Sequence, residues 1–190
     1  MDELIQFDQH LFQLINHWDN GWLNAIMPLW REKTTWIPLY LLFSVWVGWK
    51  FKKAGLLFLL TAILCVGIAD TMSSKIIKKS VERLRPCRTP GLADDVKLLV
   101  PCGGGHSFTS SHATNHFALA VFLVSTLGRF LKRIKIPLLL WAASIAFGQV
   151  YVGVHFPLDV ISGSILGSLI AWAMSKIYWS AKIAHIYEQS

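Results

Sequence analysis

The chain has 190 residues, of which 54% are hydrophobic and 15% charged, with a mean hydropathy of +0.47. A soluble domain carries about 25% charged residues, so a soluble enzyme, a disordered tail and a disulfide-stapled secreted module are all excluded. The net charge of +7 admits nucleic acid, anionic lipid or cytoplasmic loops as partners, and the placement of the charges decides for the bilayer and against nucleic acid.

In chain order, Leu4–Ile15 is broken by Gln6, Asp8, Gln9, His10 and Gln13, which does not fit a cleavable signal peptide, so the membrane helices are expected to direct insertion. Leu4, Phe7, Leu11, Leu14 and Ile15 recur at helical spacing and predict an amphipathic helix lying on the membrane surface. Trp22–Trp30 is too short to cross and reads as a second interfacial segment, so 1–33 form an interfacial N-terminal region. Five uncharged runs then approach the roughly 20 residues that a bilayer requires: Thr34–Trp49, Ala54–Ser74, Ser107–Gly128, Ile136–Val154 and Leu158–Ser175. Trp18, Trp22, Trp46 and Trp49 suit an aromatic belt, although core packing also accounts for single tryptophans. The expected fold is all-α: a polytopic membrane helix bundle of about five transmembrane helices plus N-terminal interfacial helices, in a single domain over 1–190.

Between the second and third runs lies a polar connection, Lys75–His106, and uninterrupted loops of that length are usually functional or disordered. With five spans, this connection, the start of the third span and the junction of the last two emerge on one face. That face gathers Lys75–His112 and Gly148–Asp159. The other face carries Lys50, Lys52, Lys53, Arg129, Lys132, Arg133, Lys135, Lys176 and Lys182, with Glu188 as its one acid. Setting the basic cluster of the loop aside as functional, the positive-inside rule puts the gathered face outside the cytoplasm, in a multi-pass protein of the cytoplasmic (inner) membrane.

The cluster is Lys75, Lys78, Lys79, Arg83, Arg85 and Arg88, opposed by Glu82. Guanidinium forks and ammonium groups together hold phosphoryl oxygens, and a solvated flank for anionic headgroups is the plainer alternative. In Ser107–His112 a hydroxyl-rich turn runs into an apolar helix, an N-cap signal whose free N–H groups suit an anion. His112 and His116 share a helical face as a metal pair does, but no third ligand has suitable spacing, so no metal is assigned. Near the last span, Pro157 suits a first helical turn, and Asp159 lies four residues beyond His155. There it can fix the imidazole tautomer and leave the other nitrogen free to attack or to take a proton. Asp70, the ionisable residue well inside a span, aligns with Ser74 and Lys78 on one helical face and reads as support for the site rather than a pore lining.

These residues resemble the type 2 phosphatidic acid phosphatase superfamily, which includes the vanadium haloperoxidases and has three ordered motifs. Lys78 and Arg85-Pro86 match its Lys, six residues, Arg-Pro. Thr109-Ser110-Ser111-His112 stands for Pro-Ser-Gly-His, keeping the Ser and the His. Gly148-Gln149, five residues, His155 and then Asp159 stands for Ser-Arg, five residues, His, three residues, Asp. The resemblance implies that His155 is a nucleophile forming a phosphohistidine, that Asp159 orients it, and that His112 protonates the leaving alcohol. Lys78, Arg85 and Ser110 would bind the phosphoryl group, with Ser111, Gln149 and Arg88 completing the set and neither metal nor other cofactor required. The implied activity is hydrolysis of a lipid phosphomonoester or diphosphate, with the bilayer as partner. Transfer of the phosphoryl group to another lipid, or a weakened lipid-phosphate binder, are the alternatives.

Gln149 is the departure that matters, because the family places a phosphate-binding Arg there. Gln keeps two N–H donors but loses the charge and the fork. Three explanations stay open: Arg83 or Arg88 supplies the charge, the substrate differs, or activity is low. Cys87 and Cys102 both fall in the loop, where an extracytoplasmic location permits a disulfide closing it over the site. His106 is a candidate substrate contact. Gly163, Gly167 and Ala171 offer a small-residue face for a helix of the same or another chain, and oligomeric state is not legible.

Overall fold

The computed structural model describes residues 2–187, with side chains described for 3–181; Glu188 lies outside the described residues, as does the side chain of Lys182. Two short helices lead, α1 (Asp2–Asn16) and α2 (Gly21–Trp30). Asn20 starts α2 by accepting from the amides of Trp22 and Leu23, the usual use of a short polar side chain at a helix start. On α1, Leu4, Phe7 and Leu14 are exposed, as the amphipathic pattern requires, while Asp8, Phe12 and Asn16, one helical turn apart, are buried. The polar flank of α1 therefore docks on the protein and its apolar stripe is left for lipid.

The first two expected spans lie in α3 (Lys33–Thr71), which is broken at Lys52, where φ is 47° and ψ is −121°. In a straight helix Phe43 and Phe58 would stand about 22 Å apart. Their ring centroids are 6.3 Å apart, so the chain reverses at Lys52 into two antiparallel arms. The helix does not stop at Ser74 as expected. It passes through a π-helical segment, Met72–Ile77, into α4 (Lys78–Val81) and ends at Glu82, whose φ is 52°. The apolar Ile76, Ile77 and Val81 among the lysines sustain it, so the polar connection begins at Glu82 rather than at Lys75.

Three further helices follow: α5 (Ser111–Thr126), α6 (Lys135–Tyr151) and α7 (Pro157–Tyr187). Among the described residues three segments are long and apolar enough to cross a bilayer, Lys33–Arg88, Lys132–Tyr151 and Pro157–Ala181. α5, at 16 residues, runs among them, packed on α7, α6 and α3. Outward-facing Leu42, Val45, Ile63, Leu140 and Leu169 are exposed, an apolar exterior of the kind that lipid covers. The core between α3, α5 and α7 is built on Phe58, Cys65, Ala118, Phe122, Ala171 and Tyr178.

The small-residue face of α7 is used within the chain. A Cβ on Gly163 would lie 2.7 Å from the Ser110 carbonyl, and one on Gly167 2.1 Å from that of Thr114. Only glycine permits this approach. It draws the start of α7 against the start of α5, bringing the second and third sequence motifs side by side.

Candidate active site

The third motif lies on the turn between α6 and α7. Gly153, at φ +89°, makes the bend, and a Cβ there would meet the Lys97 carbonyl at 2.8 Å. The amides of Val154 and His155 both donate to the Gln149 carbonyl at 3.2 Å, which fixes the backbone that carries the imidazole. His155 is 2% exposed and Asp159 wholly buried. His155 Nδ1 lies 3.4 Å from Asp159 Oδ2. The same oxygen accepts from the Phe156 amide at 2.8 Å and from Ser107 Oγ, and Oδ1 accepts from Arg83 Nη1 at 2.8 Å. A carboxylate held from four directions cannot swing, so it holds the ring in one orientation and leaves Nε2 facing Arg85.

Arg85 Nη1 is 3.4 Å from His155 Nε2 and donates to the Val154 carbonyl at 3.0 Å. Lys78 Nζ donates to the His106 carbonyl at 3.0 Å, which accounts for His106 through its backbone. Ser110 is buried and caps α5, accepting from the Ala113 amide, while its own amide donates to the Asp159 carbonyl at 3.0 Å. Ser111 Oγ is 3.0 Å from Ser73 Oγ, so it braces α5 against the π-helical segment. Asp70 accepts from Asn115 Nδ2 at 2.8 Å, a link of the same kind.

The explanations left open for Gln149 narrow. Arg88 donates from Nη2 to the Gly103 carbonyl, next to the Gly104 carbonyl that Arg85 Nη2 meets at 3.4 Å. Arg83 is spent on two buried carboxylates, with Nη2 on Asp8 Oδ2 and Nη1 on Asp159, and its guanidinium lies 4.2 Å above the Phe156 ring. Arg83 is therefore not free to stand in for position 149. Gln149, wholly buried, instead accepts at Oε1 from Arg31 Nε at 3.1 Å. Sequence reasoning had no reason to choose Arg31 or Asp8, because each reaches the site from a distant part of the chain, whereas Ser107 opens the hydroxyl-rich turn already singled out and here donates to Asp159. Cys87 and Cys102 are disulfide-bonded with a Cα separation of 6.2 Å, tying the arginine-bearing turn to the glycine run.

Six polar atoms are buried without a partner among the described residues: Asn115 Oδ1, His116 Nε2 and Trp141 Nε1, and, within the motifs, Arg85 Nε, His112 Nε2 and Gln149 Nε2. Buried donors normally find acceptors, and the last three belong to residues of the three motifs, where an oxygen-rich anion could supply acceptors. Below the site, between the arms of α3 and helices α5 to α7, lies an apolar cavity of about 1120 Å³ lined by residues including Trp36, Tyr40, Phe58, Leu123, Trp141 and Tyr178. Trp141 packs on His116, whose ring stacks with that of His112, so the cavity reaches towards the site.

Burial lowers the His155 imidazole from 6.5 to about 4, outweighing the opposite pull of Asp159. It is thus neutral at neutral pH, the state in which an imidazole nitrogen keeps its lone pair. The sign of the linkage is fixed: the folded value is depressed, so the unfolded chain binds more protons and stability falls as pH drops from about 6.5 towards 4. Melting midpoints in detergent should therefore fall more steeply over that window for the wild type than for His155→Gln. Equal slopes would count against a neutral buried imidazole.

A sequence model of the PAP2 superfamily matches residues 54–183. A lipid A 4'-phosphatase of Bacteroides thetaiotaomicron is 30% identical over 174 residues, 89% of this chain and 76% of that protein. An undecaprenyl-diphosphatase of Sulfolobus acidocaldarius is 28% identical, over 97% of this chain and 85% of that one. Among solved structures, a PAP2-type phosphatidylglycerolphosphate phosphatase of Bacillus subtilis superposes with a TM-score of 0.73 at 25% identity, covering 93% of this chain and 87% of the other.

Proposed function

We propose, from the premise that the chain belongs to the PAP2 superfamily, that it removes the phosphate of a lipid monoester or diphosphate through a phosphohistidine on His155. It is an integral membrane enzyme acting on lipid phosphates, as its relatives are phosphatases of lipids. The observation that carries the mechanism is the buried His155–Asp159 pair with Nε2 turned towards Arg85. In the first step Nε2 forms a bond to phosphorus as the bond to the leaving oxygen breaks, and His112 gives that oxygen its proton. In the second, water attacks phosphorus, its proton passes to His112, the P–N bond breaks and inorganic phosphate leaves. Lys78 and Arg85 neutralise the charge on the equatorial oxygens, so the chemistry needs no metal from the substrate or the medium.

The apolar cavity below the site suits the lipid tails, with the headgroup held by the loop above. The site faces away from the cytoplasm of the inner membrane in this reading. Two features support it: the Lys52 turn and the Arg129–Lys135 connection both lie at the helix ends far from His155, and the site loop carries a disulfide, a bond of oxidising compartments.

The test is phosphate release by the purified protein in detergent, with chelator present. The panel is a phosphatidate, a phosphatidylglycerophosphate, an undecaprenyl diphosphate and a lipid A 4'-phosphate. Turnover that persists in chelator is expected. Turnover that collapses with chelator and returns with a divalent cation would overturn the metal-free reading, and none on any lipid would overturn the hydrolase reading for this panel.

A further inference from the structure

Arg31 closes α2 and is 9% exposed. A buried guanidinium is costly unless an anion meets it, and its one acidic neighbour, Glu32, is 4.0 Å away and itself well exposed. Nε is engaged by Gln149 Oε1. Among the described residues no hydrogen bond engages either terminal nitrogen of Arg31.

The partners of Arg31 are unusual in a second respect. A Cβ on Gly148 would lie at ordinary contact distance, 3.4 Å, from the Arg31 Cβ and from Met27 Sδ, so α2 leans on α6 at this glycine. Gly148 and Gln149 are the two positions at which the chain departs from the Ser-Arg of the third motif, and Arg31 is packed on both. The Gln149 amide nitrogen is left buried and unpartnered beside it. The Arg31 charge bears on the ionisation of both Arg85 and His112, so all three share one electrostatic neighbourhood. A positive charge that is buried, forked, short of a carboxylate and gathered with other cations marks the seat of an anion.

We propose that Arg31 is a phosphate-binding residue of this site, its guanidinium taking the place of the arginine absent from position 149, with Gln149 orienting it. The assignment deepens the phosphatase reading and rests on it for the identity of the anion as a phosphoryl group. It makes the N-terminal segment part of the substrate site, and explains how a glutamine at position 149 is compatible with catalysis.

The experiment uses the full chain in detergent and inorganic phosphate as the probe. Phosphate is expected to raise the wild-type melting midpoint and to inhibit turnover competitively. Arg31→Gln keeps an amide able to bond Gln149 but removes the charge. Its inhibition constant for phosphate is expected to weaken by roughly tenfold to a hundredfold, the loss of one charge-assisted pairing, with the phosphate-induced rise in midpoint lost. Adding Gln149→Arg to that variant should restore both. A folded Arg31→Gln protein that binds phosphate within twofold of wild type overturns the proposal and leaves Arg31 a structural tie between α2 and α6. If that variant does not fold, Arg31→Lys decides: a several-fold weaker inhibition constant is expected, and an unchanged one overturns the proposal. Phosphate binding that depends on Arg31 in a wild type that turns over no lipid phosphate would sink the phosphatase reading and leave the Arg31 assignment standing.

Discussion

His155→Ala is expected to lower phosphate release by about four orders of magnitude or more, as loss of a nucleophile does when the remaining groups have no covalent route. The packing argument strengthens the expectation. His155 is wholly enclosed and its Nδ1 side is occupied by Asp159 and Ser107, so alanine leaves a small pocket rather than an open path for water to attack phosphorus in line. Brief incubation of the wild type with a radiolabelled lipid phosphate, stopped in alkali, should leave label on the protein as a base-stable, acid-labile adduct. No such label should appear in the variant. Retention of more than a few per cent of turnover by His155→Ala would move the nucleophile elsewhere, and His112 would then be the group to examine.

Arg83→Met is expected to cost about 3–5 kcal/mol of stability, the penalty for leaving buried charges without their partner. Asp8 and Asp159 are 1% and 0% exposed, and both depend on this one guanidinium. Methionine fills much of the volume and keeps contact with the Phe156 ring, so the loss isolates charge rather than packing. Activity should fall with stability, because Asp159 loses one of the four groups that hold it. Adding Asp8→Asn should recover part of the stability, and the gap to wild type should narrow on acidification, since burial already pushes the Asp8 carboxyl above its ordinary value and a protonated carboxyl has no need of the arginine. Chemical or thermal unfolding of the single and double variants at two pH values measures this. An Arg83→Met protein as stable as wild type would mean that the two carboxylates find other partners or are neutral.

Much of the site was legible because its key relations are short in sequence. His155 and Asp159 are four residues apart at a helix start, Lys78 and Arg85 are seven apart, and hydropathy alone brackets the helices that carry them. What escaped the sequence depends on contacts between distant segments. Asp8 meets Arg83 across 75 positions and Arg31 meets Gln149 across 118. Neither pairing leaves a local pattern. The helix beyond Ser74 was missed for another reason: lysines there interrupt the hydropathy signal, although they do not interrupt backbone hydrogen bonding, which runs on through a π-helical segment. For α1, periodicity identified the apolar stripe but not that its flank bearing Asp8, Phe12 and Asn16 is the one that docks.

The glycine contacts of α7 bear on how the molecule is made. Synthesis proceeds from the N-terminus, so the cations of residues 78–88 leave the ribosome well before His155 and Asp159, and the His155–Asp159 pair is seated only when Gly163 and Gly167 pack against Ser110 and Thr114. A nascent chain arrested ahead of α7 therefore carries the positive charge of the loop without the carboxylate that α7 brings to it. Assembly of the site thus waits until α7 has been delivered into the bilayer.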